Sequence, residues 1–417
     1  MPRPLFALLL LAAATTGAAE EFSFDLSGIE KKPLQWYGFA ELRDEAIALN
    51  RDSALYPLTY PDAERSENRL SASLELSGDY TMGDTRLSAT WHGQTFNDSR
   101  QSGSEGTLYE GYLYHRLNRN LSIEAGKRTL KWGKGYAWSP VAFVERPKDP
   151  TDPELGREGF VMATGDWVKS GNGALQTIGF TPVLLPVSDE LNEDFGQEHS
   201  TNIAGKLYLL YRDIDIDLLF LSDGSRPGRL GADFSLNLAS NFELHGEWAW
   251  IPDAPHYRLD GATLTREEQD QHNILLGLRY LTASDTTWIA EYLHQSGGYS
   301  EAEMATFFAQ LAASPAAQSV RDLGQQAGFL RPNPMRNYLY LRASQKEPFD
   351  WLYTSTGITL IANLDDQSHM VMPEFIYSGV ENLELRLRLS LMQGDAGSEY
   401  GEKLNEKKLE LRGRYYF

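Results

Sequence analysis

The chain has 417 residues, a formal net charge of -20 at pH 7 and no cysteine. The lack of cysteine excludes disulfides, lipid-anchored cysteines, thiolate metal sites and thioether-linked haem, and the acidic balance argues against nucleic acid as a partner. Beyond the first residues no apolar run is long enough to span a bilayer as a helix, which leaves a soluble exported protein or a membrane protein built from strands.

The first residues predict a secretory signal peptide, residues 1–19. One basic residue, Arg3, precedes an apolar run from Leu5 to Ala14, and small residues continue to Ala19. The run is too short for a transmembrane helix, and acidic residues follow it at once. Cleavage after Ala19 would leave residues 20–417 as one exported domain.

Alternation of polar and apolar residues is the strongest pattern in the rest of the chain. Every even position from Leu70 to Ser77 is apolar, and every odd position from Leu383 to Leu391 is leucine. A strand with one face in lipid and the other in water must alternate in this way, although a half-buried strand of a soluble sandwich does so too. About 18 antiparallel strands are predicted, with 16 as the alternative count. Their starts lie near residues 35, 69, 86, 107, 121, 160, 174, 202, 214, 229, 241, 272, 286, 336, 351, 367, 382 and 407.

The lengths of the predicted connections distinguish a membrane barrel from a soluble sandwich. Even-numbered connections are short turns, such as Thr81 to Asp84 and Gly379 to Glu381. Most odd-numbered connections are long loops, such as Glu45 to Glu67, Pro252 to Gln271 and Ser296 to Met335. Short turns on one side and long loops on the other are typical of bacterial outer-membrane barrels. The predicted fold is therefore all-β, a transmembrane antiparallel up-and-down barrel.

Two segments carry a resemblance to a known family. The last residues, Arg412 to Phe417, resemble the C-terminal signal of outer-membrane proteins. Ala125 to Pro140 (AGKRTLKWGKGYAWSP) is similar to the G-[KR]-x-x-x-x-W-G stretch of porin-like barrels of the alginate-export and substrate-specific type. The resemblance implies a Gram-negative outer-membrane porin, surrounded by lipid and lipopolysaccharide and inserted by the barrel-assembly machinery through Phe417. It also suggests a homotrimer.

The connection Gly133 to Gly159 is the predicted constriction of the pore. Barrels of 16 to 18 strands leave an aqueous channel unless something narrows it. In position this connection resembles the inward-folded third loop of porins, and its prolines and charges fit a rigid functional loop. A loop standing outside in solvent is the alternative. Its candidate pore residues are Glu145, Arg146, Lys148, Asp149, Asp152, Glu154, Arg157 and Glu158.

Parity along the strands predicts an arginine-rich lumen wall, because the neighbours of lipid-facing residues must point inward. The predicted register of the last hairpin pairs Met392 with Lys408. It creates a like-charged ladder that would need water, an anion or loop acids beside it. The ladder consists of Arg388 opposite Arg412 and Arg386 opposite Arg414, and closure adds Arg43, with Arg86 and Arg128 further round.

Two interpretations of this wall remain open. Arginines that face the loop acids would create a transverse field and favour anionic solutes. Inward-pointing acids could instead neutralise the wall and leave a mixed-charge lumen without selectivity. The acids that parity places inside are Glu41, Glu75, Glu124, Glu384 and Glu410.

The long connection at 296–335 predicts a partly helical extracellular loop. Its stretch Glu301 to Leu323 is alanine-rich and reads as one or two short helices interrupted by Pro315. The helices could cap the mouth of the barrel or pack onto neighbouring loops.

No motif supports an enzyme, a metal site or another cofactor. Asp213 and its acidic neighbours imitate a calcium loop, but they alternate with isoleucine and lack the required glycine. His199 and Ser200, the nearest approach to a lipase pair, would point to opposite faces of a strand.

Two functions are compatible with this barrel. One is a channel for passive diffusion of small polar, in particular anionic, solutes. The other is a structural sleeve that holds a partner protein, such as an exported electron-transfer cytochrome. A channel needs an inward loop and a narrow eyelet, whereas a sleeve needs a wide bore with its loops folded away.

Overall fold

The computed structural model describes residues 33–62, 64–197, 199–260, 263–313 and 317–417. The predicted signal peptide and the predicted interruption at Pro315 lie outside these residues. The described part forms eighteen antiparallel strands. They are β1 (Leu34–Leu49), β2 (Ser66–Met82), β3 (Thr85–Asn97), β4 (Ser102–Arg116), β5 (Leu121–Arg128), β6 (Phe160–Ser170), β7 (Leu175–Val187), β8 (Ser200–Tyr211), β9 (Ile214–Leu221), β10 (Arg229–Ala239), β11 (Phe242–Asp260), β12 (Thr263–Leu281), β13 (Thr286–Gln295), β14 (Asn337–Lys346), β15 (Thr354–Asn363), β16 (His369–Val380), β17 (Leu383–Gln393) and β18 (Asn405–Tyr416).

Among the described residues, three short α-helices lie in the connections on the long-loop side. They are α1 (Tyr56–Thr59), α2 (Glu301–Ala313) and α3 (Ala317–Ala327). The helices α2 and α3 lie within the connection for which the sequence predicts helices. None of the described helices is long and apolar enough to cross a membrane.

The sheet closes on itself, because β1 pairs with β18 as well as with β2. Every strand therefore has a hydrogen-bonded neighbour on both sides, which removes the open edges that a sheet could not leave exposed in hydrocarbon. Arg43 pairs with Arg412 across this closure. The predicted all-β barrel and its count of eighteen strands are confirmed.

The outer surface of the barrel is apolar, as the alternation predicts. Leu76 and Leu411 are 40% and 55% exposed, whereas the inward-pointing Glu41 and Glu410 are buried. A contiguous apolar belt of this kind is unfavourable in water and fits a hydrocarbon surrounding.

The predicted loop from Pro252 to Gln271 is wrong, because this segment continues the sheet. β11 and β12 stay paired from the bulge after Ile251 to the pair Asp260 and Thr263. The extension carries charged residues on both faces, with Arg258 and Glu267 on one and Arg266 and Glu268 on the other. The alternation that marks a strand between lipid and water is therefore missing from it.

The predicted register of the last hairpin is wrong by two residues. Lys408 pairs with Ser390 and not with Met392. A shift of two leaves every side chain on the same face, so alternation cannot detect it. In the observed register, two of the three charged pairs on this face join an arginine to a glutamate. The repulsion between like charges is therefore lower than in the predicted register. The pairs are Arg388 with Glu410, Arg386 with Arg412 and Glu384 with Arg414.

The lumen contains two apolar cores, so it is not polar throughout as the alternation predicts. On β7, for example, Leu184 is 48% exposed outside while Leu185 is fully buried inside. One core packs Phe143 and Val144 against inward residues of β6 to β11, and the other packs Trp138 and the two longer helices against β12 to β16. These cores leave one cavity beside β17, β18 and β1 to β4, and a larger one that extends from β1 to β4 to the inward residues of β11 to β14.

Candidate functional site

Residues 129–159, which connect β5 to β6, lie inside the barrel and are called the inward loop below. The Nζ of Lys134 lies 3.0 Å from an oxygen of Asp217 on β9 and 3.8 Å from one of Asp233 on β10. Both carboxylates are buried and directly opposite each other in the sheet. The lysine offsets the repulsion that this like-charged pair would otherwise have.

Two buried glutamates on the lumen wall bind backbone N–H groups of the inward loop. Glu247 on β11 accepts hydrogen bonds from the N–H groups of Lys134 at 2.6 Å, Gly135 at 2.7 Å and Val141 at 3.2 Å. A loop buried in a barrel must satisfy its own donors, and an ionised carboxylate is a strong acceptor for them. Glu247 therefore fixes the path of the loop next to β11.

Glu291 on β13 does the same for the next residues of the loop. Its carboxylate accepts the N–H of Ala137 at 2.8 Å and that of Tyr136. The imidazole Nε2 of His245 lies 2.9 Å from the same carboxylate. Together, Glu247 and Glu291 form a carboxylate clamp that holds residues 134–141.

Charges within the inward loop form a second set of contacts. Glu145 accepts the N–H of Trp132 and lies 3.1 Å from Arg157. Burial raises the pKa of Glu145 to about 7, although the N–H group and the guanidinium favour its ionised form. Lys148 donates to the carbonyl of Gly135, and its burial lowers its pKa.

Asp152 lies on the far side of the lumen from the clamp. Its Oδ2 is 3.2 Å from Nη1 of Arg412 and 3.6 Å from Nη1 of Arg386. Arg388 donates to the backbone carbonyl of Thr151 at 3.2 Å. Burial raises the pKa of Asp152, but the three arginines outweigh it and lower the pKa below its ordinary value.

The arginine wall is partly neutralised by glutamates on the strands. Glu41 lies 2.7 Å from Arg43 and 2.6 Å from Arg414. On the other side of the hairpin, Glu374 bridges Arg342 at 2.5 Å and Arg388 at 3.0 Å. Most arginines of the wall therefore have a carboxylate partner already.

Two adjoining cavities lie between the inward loop and the wall. One, of about 600 Å³, has Arg386, Arg412 and Arg414 on one side and Glu75 and His92 on the other. The second, of about 960 Å³, has a mixed basic and acidic lining. It includes Lys131, Lys134, Lys148, Arg157, Arg279, Arg342, Glu110, Glu145 and Glu243.

The structure divides the predicted pore residues into groups. Arg43, Arg386, Arg412, Arg414, Asp152 and Glu154 line the smaller cavity, and Arg388 lies beside it. Glu145, Lys148, Glu154 and Arg157 line the larger one. Of the predicted loop acids that the structure describes, Asp152 is the one in ion-pair contact with the arginine wall.

The remaining predicted residues have other partners. Arg128 pairs with Glu124 at 2.9 Å, and Arg86 lies over the ring of Tyr114. Arg146 binds Glu158 and Asp194, while Asp149 caps the turn at Thr151. Burial explains these local partners, because a charged side chain that leaves water must find a nearby partner.

The residues of the carboxylate clamp are not among the predicted pore residues. Glu247 lies in the alternating segment Phe242 to Trp250, so parity alone places it inside the barrel. What the sequence does not show is that the inward loop reaches it. The pairing of β11 with β10 and β12 provides that position.

Comparison with known proteins supports the fold. No protein-family model and no curated protein matches the sequence. The structure of OccK5 (OpdH) from Pseudomonas aeruginosa is similar, with a TM-score of 0.52, 11% identity and coverage of 92% of this chain and 98% of the other. OccAB1 from Acinetobacter baumannii also gives 0.52, with 10% identity and coverage of 91% and 96%. The chain therefore has the β-barrel fold of Gram-negative outer-membrane porins.

Proposed function

We propose that the chain is a porin-like channel for passive diffusion of small polar solutes, with a preference for anions. The observation that carries the proposal is the inward loop, which crosses the lumen from the clamp at Glu247 and Glu291 to Arg412. It narrows a bore that eighteen strands would leave wide and leaves cavities lined by charged residues.

An outer-membrane location agrees with this function. The exposed apolar belt needs a hydrocarbon surrounding, and outer-membrane barrels carry such a belt. Phe417 extends the lipid-facing row of β18 and lies against Trp36 at the short-turn end of the barrel. Recognition of Phe417 by the assembly machinery, export by the signal peptide and assembly as a homotrimer belong to the same proposal.

The distribution of charge supports an anion preference. Seven basic and five acidic side chains line the larger cavity, and this excess of positive charge attracts anions. The basic residues are Lys131, Lys134, Lys148, Arg157, Arg279, Arg342 and Lys346. Arg386, Arg412 and Arg414 line the adjoining smaller cavity.

Reversal potentials in planar lipid bilayers test the preference. A variant with Arg386, Arg388, Arg412 and Arg414 changed to alanine is expected to lose its preference for chloride over potassium. The matched control removes four exposed arginines outside the lumen, Arg119→Ala, Arg212→Ala, Arg258→Ala and Arg266→Ala. Equal anion and cation permeability in the unmodified protein would contradict the proposal, as would a preference that survives removal of the wall.

The alternative function, a structural sleeve that holds a partner protein, needs a bore wide enough for that protein. The inward loop and the two apolar cores occupy that space, and the cavities left are about 600 and 960 Å³. The geometry therefore favours the channel. Single-channel conductance of the purified protein distinguishes the two, since a sleeve without its partner would conduct like a wide pore.

A further inference from the structure

Arg386 and Arg412 form a like-charged pair whose nearest counter-charge comes from the inward loop. The two arginines are directly opposite each other on β17 and β18. The Oδ2 of Asp152 is the carboxylate oxygen closest to Arg412, at 3.2 Å, whereas Glu41 and Glu384 are 3.7 and 4.0 Å away. Glu41 is closer to Arg414, at 2.6 Å, and Glu384 lies 3.6 Å from Arg386, the same distance as Asp152.

The two guanidinium groups retain unused hydrogen-bonding capacity. The Nε of Arg386 and that of Arg412 have no hydrogen-bond partner among the described residues. The side chain of Arg412 is 2% exposed, so water satisfies this donor poorly. A buried cationic pair with spare donors is suited to an additional oxyanion.

Asp152 belongs to a loop that docks on the wall and is not part of the wall itself. Pro150 and Pro153 flank it at close range and restrict its backbone. Its side chain remains 21% exposed and faces the smaller cavity. An ion pair that still reaches water is weak, so a solute anion can compete with it.

We propose that Arg386 and Arg412 form an oxyanion subsite that Asp152 occupies as a tethered internal ligand. Resting on the proposed channel function, this means that a permeating oxyanion binds by displacing the Asp152 carboxylate. The tether acts as a local competitor at high effective concentration. It keeps solute binding weak enough for release, which conduction requires.

Removal of the internal ligand should expose the subsite. Acetate is the chemical equivalent of the aspartate side chain and is ionised at pH 7. Binding of ¹³C-labelled acetate to the purified barrel is measured by NMR saturation transfer, which does not depend on conduction. Asp152→Ala is expected to bind acetate about tenfold more tightly than the unmodified protein, since displacement of the tether is no longer needed.

Glu154→Ala is the matched control. Glu154 lines the same cavity, belongs to the same loop and contacts the hydroxyl of Tyr136 at 3.4 Å instead of the arginine pair. Both substitutions remove one negative charge, so a general field effect would strengthen acetate binding equally in both. Equal binding in the two variants would overturn the tethered ligand.

Folding and conduction are checked separately. Asp152→Asn keeps the size of the side chain and is used if the alanine variant lacks the heat-dependent gel mobility of a closed barrel. The asparagine variant is then expected to bind acetate more tightly than Glu154→Gln, and equal binding would again overturn the proposal. A barrel that binds acetate as expected but does not conduct would contradict the channel and leave the subsite standing.

Discussion

At the scale of single residues, the lumen is organised by paired charges, and Glu145 is a loop carboxylate whose burial outweighs its partners in setting its pKa. Glu41 and Glu374 each contact more than one arginine. Glu145 has a guanidinium and an N–H group as partners, yet burial raises its pKa to about 7. Its protonated form is therefore favoured by the folded loop.

The folded loop should lose local stability as pH rises. Because the folded pKa of about 7 lies above the ordinary value of 4.5, the contribution of Glu145 is complete below pH 4.5 and is lost as pH rises through 7. We expect the free energy of loop opening to fall by up to about 3 kcal/mol across this window. Amide hydrogen exchange of residues 129–159 measures it, after correction for intrinsic rates.

Glu145→Gln should remove this pH dependence, because the glutamine cannot titrate. Glu154→Gln changes a loop carboxylate that has a different environment and should keep the dependence of the unmodified protein. A loop whose opening does not change between pH 4.5 and 8 would contradict the role of Glu145.

At the scale of elements, alternation determines which face a residue occupies but not which residue it opposes. Arg386 points inward in the predicted and the observed register alike, but its partner on β18 is Arg412 and not Arg414. Register depends on side-chain contacts across the hairpin, which a shift of two rearranges without moving any apolar residue to the wrong face. The extended hairpin of β11 and β12 was missed because its outer part has no apolar face.

In the proposed channel, the inward loop sets the size of the pore. Glu247→Gln replaces one acceptor oxygen of the clamp with an NH₂ group that would face the loop's own N–H donors. Because two facing donors repel each other, the loop should be held less firmly in the lumen. We therefore expect a higher mean single-channel conductance and more open-channel noise. Glu45→Gln changes a buried inward carboxylate of β1 that binds Lys408 and lines neither cavity, so it should leave both unchanged. Identical traces for the two variants would exclude the clamp.

At the scale of the whole molecule, the proposed pore is displaced away from β6 to β10. The core around Phe143 and Val144 fills the lumen there, whereas the smaller cavity follows β17, β18 and β1 to β4 and the larger one extends to β11 to β14. Apolar side chains on both faces of a strand, as on β7, are the sequence signal of such a filled sector. The interior is packed there as in a soluble protein.

Single cysteines test the displaced pore, since the chain has none of its own. Ser73→Cys lines the smaller cavity and should react with a small charged thiol reagent, with a fall in conductance. Leu185→Cys also points inward but lies in the packed core and should stay unreactive. Rapid labelling at position 185 would show that the core is open to water.

The sequence by itself determined the closed barrel, its eighteen strands, the inward parity of the arginines and the division into short turns and long loops. A strand between hydrocarbon and water must alternate residue by residue, and its backbone must be paired. These features can therefore be predicted from short stretches of sequence. The tertiary structure alone decided the register of β17 with β18, the contacts of Asp152 and the clamp by Glu247 and Glu291. Those contacts join residues that are distant in the chain and meet only once the barrel has closed and the loop has folded into it.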